Sequence, residues 1–494
     1  MTFQEEPADI LAWLQGLRDA DAPTHGGRVL SYVYDSGLSE LDELAAAAIR
    51  MVQPVNGLDP TTFTSVATME REVLGFARGT MHGDADVVGT VTSGGTESCL
   101  LAVKTARDNW RTAHPGGGVP RLLAPVTVHA AFQKAAHYFG LDLDLVPVGP
   151  DGAITASALV ERMGADVALV VVSAPSYPFA TFDPIAEVAA AAELRGIACH
   201  VDACIGGWVL PWLPGVEPWD FRVPGVTSLS ADLHKFGYAP KGASVLLQRG
   251  RDRQRAQYFA TTRWPGYPVV NPTMLGSKSA GALAASWAII RALGEEGFAE
   301  LSASCERSTA ELRSTVSGIE GLRVVGNPVG PLFAVTTDES VAEKHRVDPH
   351  QWADQVRAHG FLLQLQPGLT QPDGTRLPAS THLTITPVTE AVLPELSAAL
   401  ARAADEVRGV PPVSAAQVLE LLPGEVLAGL SAPDTAPIDS AAAFELLAAI
   451  GLVSAESSAL PERMAPFLAL VEALPAPLTE RLLIELLARL VEPA

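Results

Sequence analysis

Lysine is scarce in this chain. Of 494 residues, 34 are basic, yet lysine stands only at 104, 134, 235, 241, 278 and 344. A chain that prefers Arg elsewhere keeps Lys where Arg cannot serve. An amine can lose its proton and form a Schiff base with a carbonyl, and a guanidinium cannot. Lys235 invites that reading. It follows the apolar run Val226–Ser230 with His234 beside it, in Ser228-Leu229-Ser230-Ala231-Asp232-Leu233-His234-Lys235-Phe236-Gly237. Two further motifs could work with it. Asp202 closes the run Ile197–Asp202. A carboxylate at the end of an apolar strand is costly unless it meets a cation or several donors. It reads either as a cap for nearby amides or as the counter-ion of a protonated ring nitrogen. Thr92-Ser93-Gly94-Gly95-Thr96-Glu97-Ser98 is a glycine-rich turn. Its glycines allow close approach, and the first amides of a following helix can take an anion. It lacks the Lys-Ser/Thr ending of a nucleotide P-loop. Taken singly, each has an ordinary explanation: a solvated lysine, a satisfied aspartate, a turn with no ligand.

The elements around these residues decide how they are read. From about 86 to 250, β-branched runs alternate with Ala-rich helical runs. The expected strands are Val87–Thr92, Leu122–Val128, Leu143–Val148, Val167–Ser173, Ile197–Asp202, Val226–Ser230 and Ala243–Gln248. The expected helices between them include Glu97–Thr112, Ala130–Phe139 and Pro184–Arg195. That alternation predicts an α/β fold with a largely parallel sheet covered on both faces, whose ligands bind at the carboxyl ends of the strands. The turn after the first strand, Asp202 and Lys235 all fall at such ends. Residues 1–85 read as mostly helical, with amphipathic runs at Leu38–Met51 and Phe63–Arg78. Residues 270–300 suggest a long helix. Residues 300–410 read as an α+β unit, with helices at Glu306–Val316 and Pro349–Ala358 and strands at Leu332–Thr336 and His382–Thr386. The run Gly409-Val410-Pro411-Pro412-Val413 reads as a linker, and the remainder as short amphipathic helices such as Leu478–Leu490. The division expected is 1–60, an N-terminal helical segment; 61–300, a large domain; 301–410, a small α+β domain; and 411–494, a helical extension.

An anion loop, a strand-end Asp and a strand-end Lys together match the needs of pyridoxal 5′-phosphate. Its phosphate needs amides, its pyridine nitrogen a carboxylate and its aldehyde an amine. The sequence also resembles the pyridoxal-phosphate-dependent group II decarboxylase superfamily, and within it the sphingosine-1-phosphate lyases. The stretches that carry the resemblance are V-T-S-G-G-T-E-S (91–98), H-A-A-F-Q-K-A-A-H-Y-F-G (129–140) and H-V-D-A-C-I-G-G-W (200–208). To these are added F-R-V-P-G-V-T-S-L-S-A-D-L-H-K-F-G-Y-A-P-K-G (221–242) and N-P-T-M-L-G-S-K-S-A-G (271–281). Weaker similarity runs from about Gly27 to Val407, and the tail after about 411 is not covered.

The resemblance implies an aspartate-aminotransferase-like fold of type I: a large domain with a mostly parallel seven-stranded sheet, then a smaller α+β domain. It implies that Lys235 holds the cofactor as a Schiff base and that Asp202 keeps the pyridine nitrogen protonated. It implies that His129 stacks on the ring; from position alone, His129 reads as a satisfied histidine at a helix start. Gly95 and Thr96 would bind the phosphate with His234 nearby. Gly276 and Ser277 would reach the cofactor phosphate of a neighbouring subunit, which implies a homodimer with shared sites. Tyr34, Asn56, Lys241 and Tyr177 match positions on the substrate side, Tyr177 with a catalytic role. The departures are specific. Lyases of this kind carry N-P-L-H where this chain has Asn56-Gly57-Leu58-Asp59, so an acceptor replaces a cationic or proton-donating group near a phosphate ester. Their P-H-G after Tyr177 becomes Pro178-Phe179-Ala180, and Lys278 stands where Arg is frequent. The membrane anchor of the eukaryotic lyases is not seen.

The reaction class then lies between two cleavages at Cα of an amino substrate: a retro-aldol break of Cα–Cβ, or loss of carbon dioxide. A silent binding protein is the third reading, disfavoured by intact Lys235, Asp202 and His129. Composition narrows the partners. With 34 basic against 56 acidic side chains the net charge is −22, which argues against nucleic acid and against an anionic membrane surface. Cysteines at 99, 199, 204 and 305 show no disulfide or zinc spacing and read as buried thiols of a cytoplasmic protein. No metal is expected, and no signal peptide or long apolar run is apparent.

Overall fold

A computed structural model describes residues 4–414, 439–449 and 463–493. Its centre is a seven-stranded sheet: β1 (Val87–Thr92), β2 (Arg121–Pro125), β3 (Asp142–Val146), β4 (Val167–Ser173), β5 (Ala198–Asp202), β6 (Ser228–Ala231) and β7 (Ser244–Arg249). The order is β1-β7-β6-β5-β4-β2-β3. β7 runs antiparallel to both neighbours and the remaining pairs are parallel. β4 and β5 are buried at every position. Val167-Ala168-Leu169-Val170-Val171-Val172 is apolar throughout, as a strand covered on both faces must be. Register aligns Ser173 with Asp202, and Asp202 with Ser230, so the carboxyl ends of β4, β5 and β6 meet at one edge.

Most expected elements stand within a few residues of their predicted bounds, and the differences have local causes. β2 stops at Pro125, where Val126 and Thr127 turn the chain toward the helix Ala130–Phe139. The strand expected at His382–Thr386 is Ser380–Thr384. The long helix expected over 270–300 begins only at Gly281. Phe259–Thr261 and Val269–Asn271 pair instead as an antiparallel hairpin. Val269 and Val270 favour extended backbone, and Pro272 disfavours helix at the residue before it. Once begun, that helix runs to Ser317, broken in conformation at Gly294 (φ 55°, ψ −167°), and it absorbs the separate helix expected at Glu306–Val316. Gln364–Gln366 and the hairpin Leu369–Thr370/Arg376–Leu377 were not expected.

A second, four-stranded antiparallel sheet orders Leu322–Val324, Leu332–Thr337, Ser380–Thr384 and Gln364–Gln366. The N-terminal segment is laced into it. Val29 bridges Leu362, the Leu30 amide donates to Leu362 O at 2.9 Å, and Thr384 donates to Leu30 O at 2.8 Å. Leu30 is buried in that small core with Phe333, Phe361 and Leu383. This strand-like tether brings Tyr34 toward the ends of the large sheet. In the C-terminal region, Asp354 accepts from the amides of Met464 and Ala465 at 2.9 and 3.0 Å, capping the helix Ala465–Ala473. Glu472 on that helix pairs with Arg376 and accepts from Gly368 N at 2.9 Å. Ser440–Ala449 and Ala476–Leu490 share a small core of Ala443, Leu447, Leu478, Leu482 and Leu486. Among the described residues, no helix is long and apolar enough to cross a membrane.

Candidate active site

β6 delivers Lys235 to the edge where the strands end. Its amine lies 2.9 Å from Asp232 Oδ2, and the Asp232 side chain is buried. Burial opposes the charge on Lys235, but Asp232 outweighs it and holds the amine well above its ordinary range. Burial likewise pushes Asp232 up, and Lys235 with His234 holds it below the usual carboxylate range. His234 Nε2 is 3.5 Å from Asp232 Oδ2, and its Nδ1 lies 3.3 Å from the amides of Gly242 and Ala243. Asp202 ends β5 and is buried; its Oδ1 accepts from Cys204 N at 3.0 Å and lies 3.5 Å from Ser230 Oγ. His129 is the histidine at a helix start that its position suggests. It caps the helix Ala130–Phe139 by accepting from Ala131 N at 3.2 Å, and it faces the same cavity as Lys235. Burial lowers its pKa, so the ring is neutral with the proton on Nε2.

The glycine-rich turn opens the helix Gly95–Ala113. A Cβ on Gly94 would come within 2.9 Å of His234 Cε1, and one on Gly95 within 2.5 Å of Asp232 Oδ2. Only glycine lets this helix start approach the Lys235 loop so closely. The Ser98 amide reaches Gly94 O at 3.1 Å, while Gly95 and Thr96 sit in the first turn, whose amides have no intrahelical acceptor. Glu97 clamps the turn, accepting from Ser93 N at 2.6 Å and from Met274 N at 2.5 Å. The resulting cavity, about 440 Å³, is bounded by Gly94, Gly95, Thr96, His129, His234 and Lys235 among others. Among the described residues this places an amide anion site, an amine and, behind them, a buried carboxylate at one locus. These residues fit pyridoxal 5′-phosphate, the first-turn amides and glycine cradle for its phosphate, Lys235 for its aldehyde and Asp202 for its ring nitrogen.

The substrate side is assembled from separate segments. Lys241 donates to His234 O at 3.0 Å and stands 4.7 Å over the Tyr34 ring. Burial first, and Lys235 second, lower its pKa to about 8. Tyr34 meets Phe236 edge-on at 5.2 Å, and burial pushes its phenol up to about 12. Tyr177 stacks on His382 at 4.3 Å, with its phenol also pushed up by burial. Asn56 Nδ2 donates to Ser277 Oγ at 3.1 Å, so the loop carrying Gly276 and Ser277 is tied to Asn56. It is Met274 and Leu275 of that loop that line this chain's own cavity. Asp59 is half-buried, and its oxygens accept from the amides and hydroxyls of Thr61 and Thr62 in a local turn.

Four groups escaped the sequence reading as site residues. Asp232 was visible three residues before Lys235, a spacing at which side chains can meet. Glu97 and His382 gave no signal, the latter being one histidine in an otherwise ordinary strand. Burial pushes His382 down to about 4, so it is neutral. The fourth is a pair: Cys99 and Cys204, far apart in sequence, converge beside Asp202.

A half-buried amine held by a buried carboxylate beside a glycine-opened helix start, at the strand ends of a mostly parallel sheet, fits an enzyme that handles amine substrates through a carbonyl cofactor. Comparison with known proteins agrees and narrows it. Residues 63–332 match the pyridoxal-dependent decarboxylase conserved domain, and residues 424–489 match the putative HTH domain found at the C-terminus of pyridoxal-dependent enzymes. The chain belongs to the pyridoxal-dependent decarboxylase family. It is 36% identical over 307 residues to sphingosine-1-phosphate lyase of Dictyostelium discoideum, covering 61% of this chain and 58% of that protein. It is 35% identical over 337 residues to sphingosine-1-phosphate lyase 1 of Rattus norvegicus, covering 67% and 59%. The chain thus spans less than two thirds of these relatives. A solved structure of Burkholderia pseudomallei sphingosine-1-phosphate lyase superposes with a TM-score of 0.75 at 31% identity, over 88% of this chain and 97% of that one. Glutamate decarboxylase of Lactobacillus brevis shares the fold at 17% identity and a TM-score of 0.73, over 84% and 95%.

Proposed function

We propose that the protein is a pyridoxal-phosphate-dependent carbon–carbon lyase. It breaks a bond at Cα of an amino substrate that carries one anionic group, in the manner of an aldehyde-lyase. The observation that carries this reading is Lys235, half-buried against Asp232 at the floor of the cavity, with Lys241 as a second amine close by. The family resemblance to the lyases supports the choice of a Cα–Cβ break.

The cofactor, when bound, supplies an electron sink for charge developing at substrate Cα. The chain does the rest. Gly95 and Thr96 hold the phosphate by their amides, with His234 beside them. Asp202 presents its carboxylate to the ring nitrogen and is fixed there by the Cys204 amide. His129, neutral, offers an apolar face and an Nε2 proton. Lys235 would hold the cofactor's aldehyde carbon, its nitrogen beside Asp232; once substrate takes that place, the free Lys235 amine would accept the 3-hydroxyl proton as Cα–Cβ breaks and return it to Cα. Lys241 binds the anion of the substrate, phosphate or carboxylate. Tyr177 has a phenol pushed up by burial, so it would keep its proton and bind substrate by a hydrogen bond without taking part in the proton transfer.

Lys241 would also suit a substrate carboxylate, and this favours a second reading, amino-acid decarboxylation. One assay separates them. Purified protein supplied with pyridoxal phosphate is offered phosphorylated 2-amino-3-hydroxy compounds and a set of amino acids. Aldehyde release supports the lyase; carbon dioxide without aldehyde supports the decarboxylase; neither product overturns both. We also propose a homodimer. The helix Pro7–Arg18 buries no side chain and exposes Leu11, Trp13 and Leu14, and the loop at Gly276–Ser277 lies beside the cavity. A reducing compartment, the cytoplasm, is proposed from four free buried cysteines.

A further inference from the structure

Cys99 and Cys204 take no part in the chemistry above, yet both border the cavity that holds Lys235. Cys99 lies in the first turns of the helix Gly95–Ala113, and Cys204 follows β5 by two residues. Both are buried, at 1% and 7% exposure. Their sulfurs and a carboxylate oxygen of Asp202 lie within 4.8 Å of one another. Polar neighbours already hold this trio in place. The Cys204 amide fixes Asp202 Oδ1 at 3.0 Å, and Ser230 Oγ lies 3.2 Å from Cys204 Sγ. Behind Ser230, His200 Nε2 is 3.1 Å from the same hydroxyl, while its Nδ1 is 2.8 Å from Ser228 Oγ.

Two thiols and a carboxylate, with a fourth side open to a cavity, form a donor set suited to zinc-like cations. An ordered outer shell of amide and hydroxyl is what such sites need to orient their ligands. Two carboxylates, Asp202 and Asp232, stand by the site, with the Lys235 amine against Asp232 and Lys241 further out. Oxidation to a disulfide is the weaker use of the pair. Burial disfavours the thiolate that must attack, whereas a bound cation itself supplies the charge that offsets deprotonation.

We propose that Cys99, Cys204 and Asp202 form a binding site for a thiophilic divalent cation, filled only while pyridoxal phosphate is absent, because Asp202 cannot serve the cation and the ring nitrogen together. The exclusion by cofactor rests on the reading of Asp202 given above; the cation site itself does not. Binding replaces two thiol protons, which leave to solvent, and involves no change of oxidation state.

The test uses the full chain, freed of cofactor and titrated with Co²⁺, which reports thiolate ligation by a ligand-to-metal absorption band in the near ultraviolet. The band should saturate at about one cation per chain. Cys99→Ala and Cys204→Ala should each remove the band or weaken binding roughly tenfold or more, with unchanged circular dichroism. Protein loaded beforehand with pyridoxal phosphate should show no band. No thiolate band in the cofactor-free protein, or a band unchanged in Cys99→Ala, overturns the site. A full band in the loaded protein overturns the exclusion and the place of Asp202 in it. Should Cys204→Ala fail to fold, Cys99→Ala decides alone. Pyridoxal phosphate binding is read separately from its visible band. Its failure would count against the proposed function, while the cobalt band would still decide the cation site.

Discussion

The floor of the cavity and its mouth are built in different ways. The floor comes from strand ends of one sheet and the helix that follows β1. Asp202, Asp232, Lys235, Gly95 and Thr96 each lie within a few residues of a strand of that sheet. The mouth is gathered from distant pieces: Tyr34 on a segment tethered to the small sheet, Asn56 tied to Ser277, Tyr177 against His382, and Lys241 beyond the Lys235 loop. A floor made this way is rigid and fixes the type of chemistry. A mouth made this way can change its substrate without touching the chemistry, since each piece is held by its own local contacts.

The sharpest way to break this division is to remove the amine. Lys235→Ala should lower turnover by about a thousandfold or more and abolish the visible band of the bound cofactor, read by absorption and steady-state rate. Turnover kept within tenfold of wild type would mean that the floor does not carry the chemistry. Asp232→Asn tests the same region more gently. Lys235 loses the partner that raises it, so its amine should titrate at lower pH. A fall in kcat of roughly ten- to a hundredfold is expected, with the alkaline limb of the pH–rate profile shifted down. A profile that falls in height without shifting would show that Asp232 acts on structure alone.

The same contrast explains what could be read from sequence. The strands were legible because β-branched runs such as Val167–Val172 can only be buried strands here, and because Ala130–Phe139 carries a clear helical stripe. Lys235, Asp202 and the glycine turn were legible because a strand end fixes both position and direction. Asp232 needed only the added step of noticing its spacing to Lys235. His382 and the meeting of Cys99 with Cys204 were not legible, since they depend on which elements become neighbours in space. The turn at Asp59 was not legible for a related reason. Nothing in Asn56-Gly57-Leu58-Asp59 announces that Thr61 and Thr62 will claim its oxygens. The hairpin at 259–271 was not expected, and only its last two residues fell within the long helix expected over 270–300, although Pro272 marked the boundary.

At the mouth the effects should appear in KM. Lys241→Met is expected to raise KM for an anionic substrate roughly tenfold, with kcat changed less, because one charge-assisted contact is lost from binding and not from the bond-breaking step. In the wild type the amine titrates at about 8, so KM should climb as pH rises through that value. In Lys241→Met that dependence should vanish. Equal losses in kcat and KM would move Lys241 from the mouth to the floor.

The smallest effect concerns what lies beneath the floor, and it is one of stability. Asp183 is buried, accepts from Ser173 N at 2.8 Å through Oδ2, and has its Oδ1 buried with no hydrogen bond. Ser173 is the register partner of Asp202, so this carboxyl supports the strand end that carries Asp202. Burial raises its pKa to about 7; the Ser173 amide works against that shift and Asp202 adds to it. An acid raised on folding binds its proton more tightly in the folded state than in the unfolded chain, where the value is about 4. The cost to stability is therefore absent below about pH 4, grows as pH rises, and is complete above about 7, reaching a few kcal/mol at most. Asp183→Asn keeps an acceptor for Ser173 and removes the charge. Its melting temperature relative to wild type should be near zero or negative at pH 5 and positive at pH 8, with KM unchanged. A difference that is the same at both pH values would show that Asp183 is ionised without penalty, and that the base of the floor is more open to solvent than its neighbours.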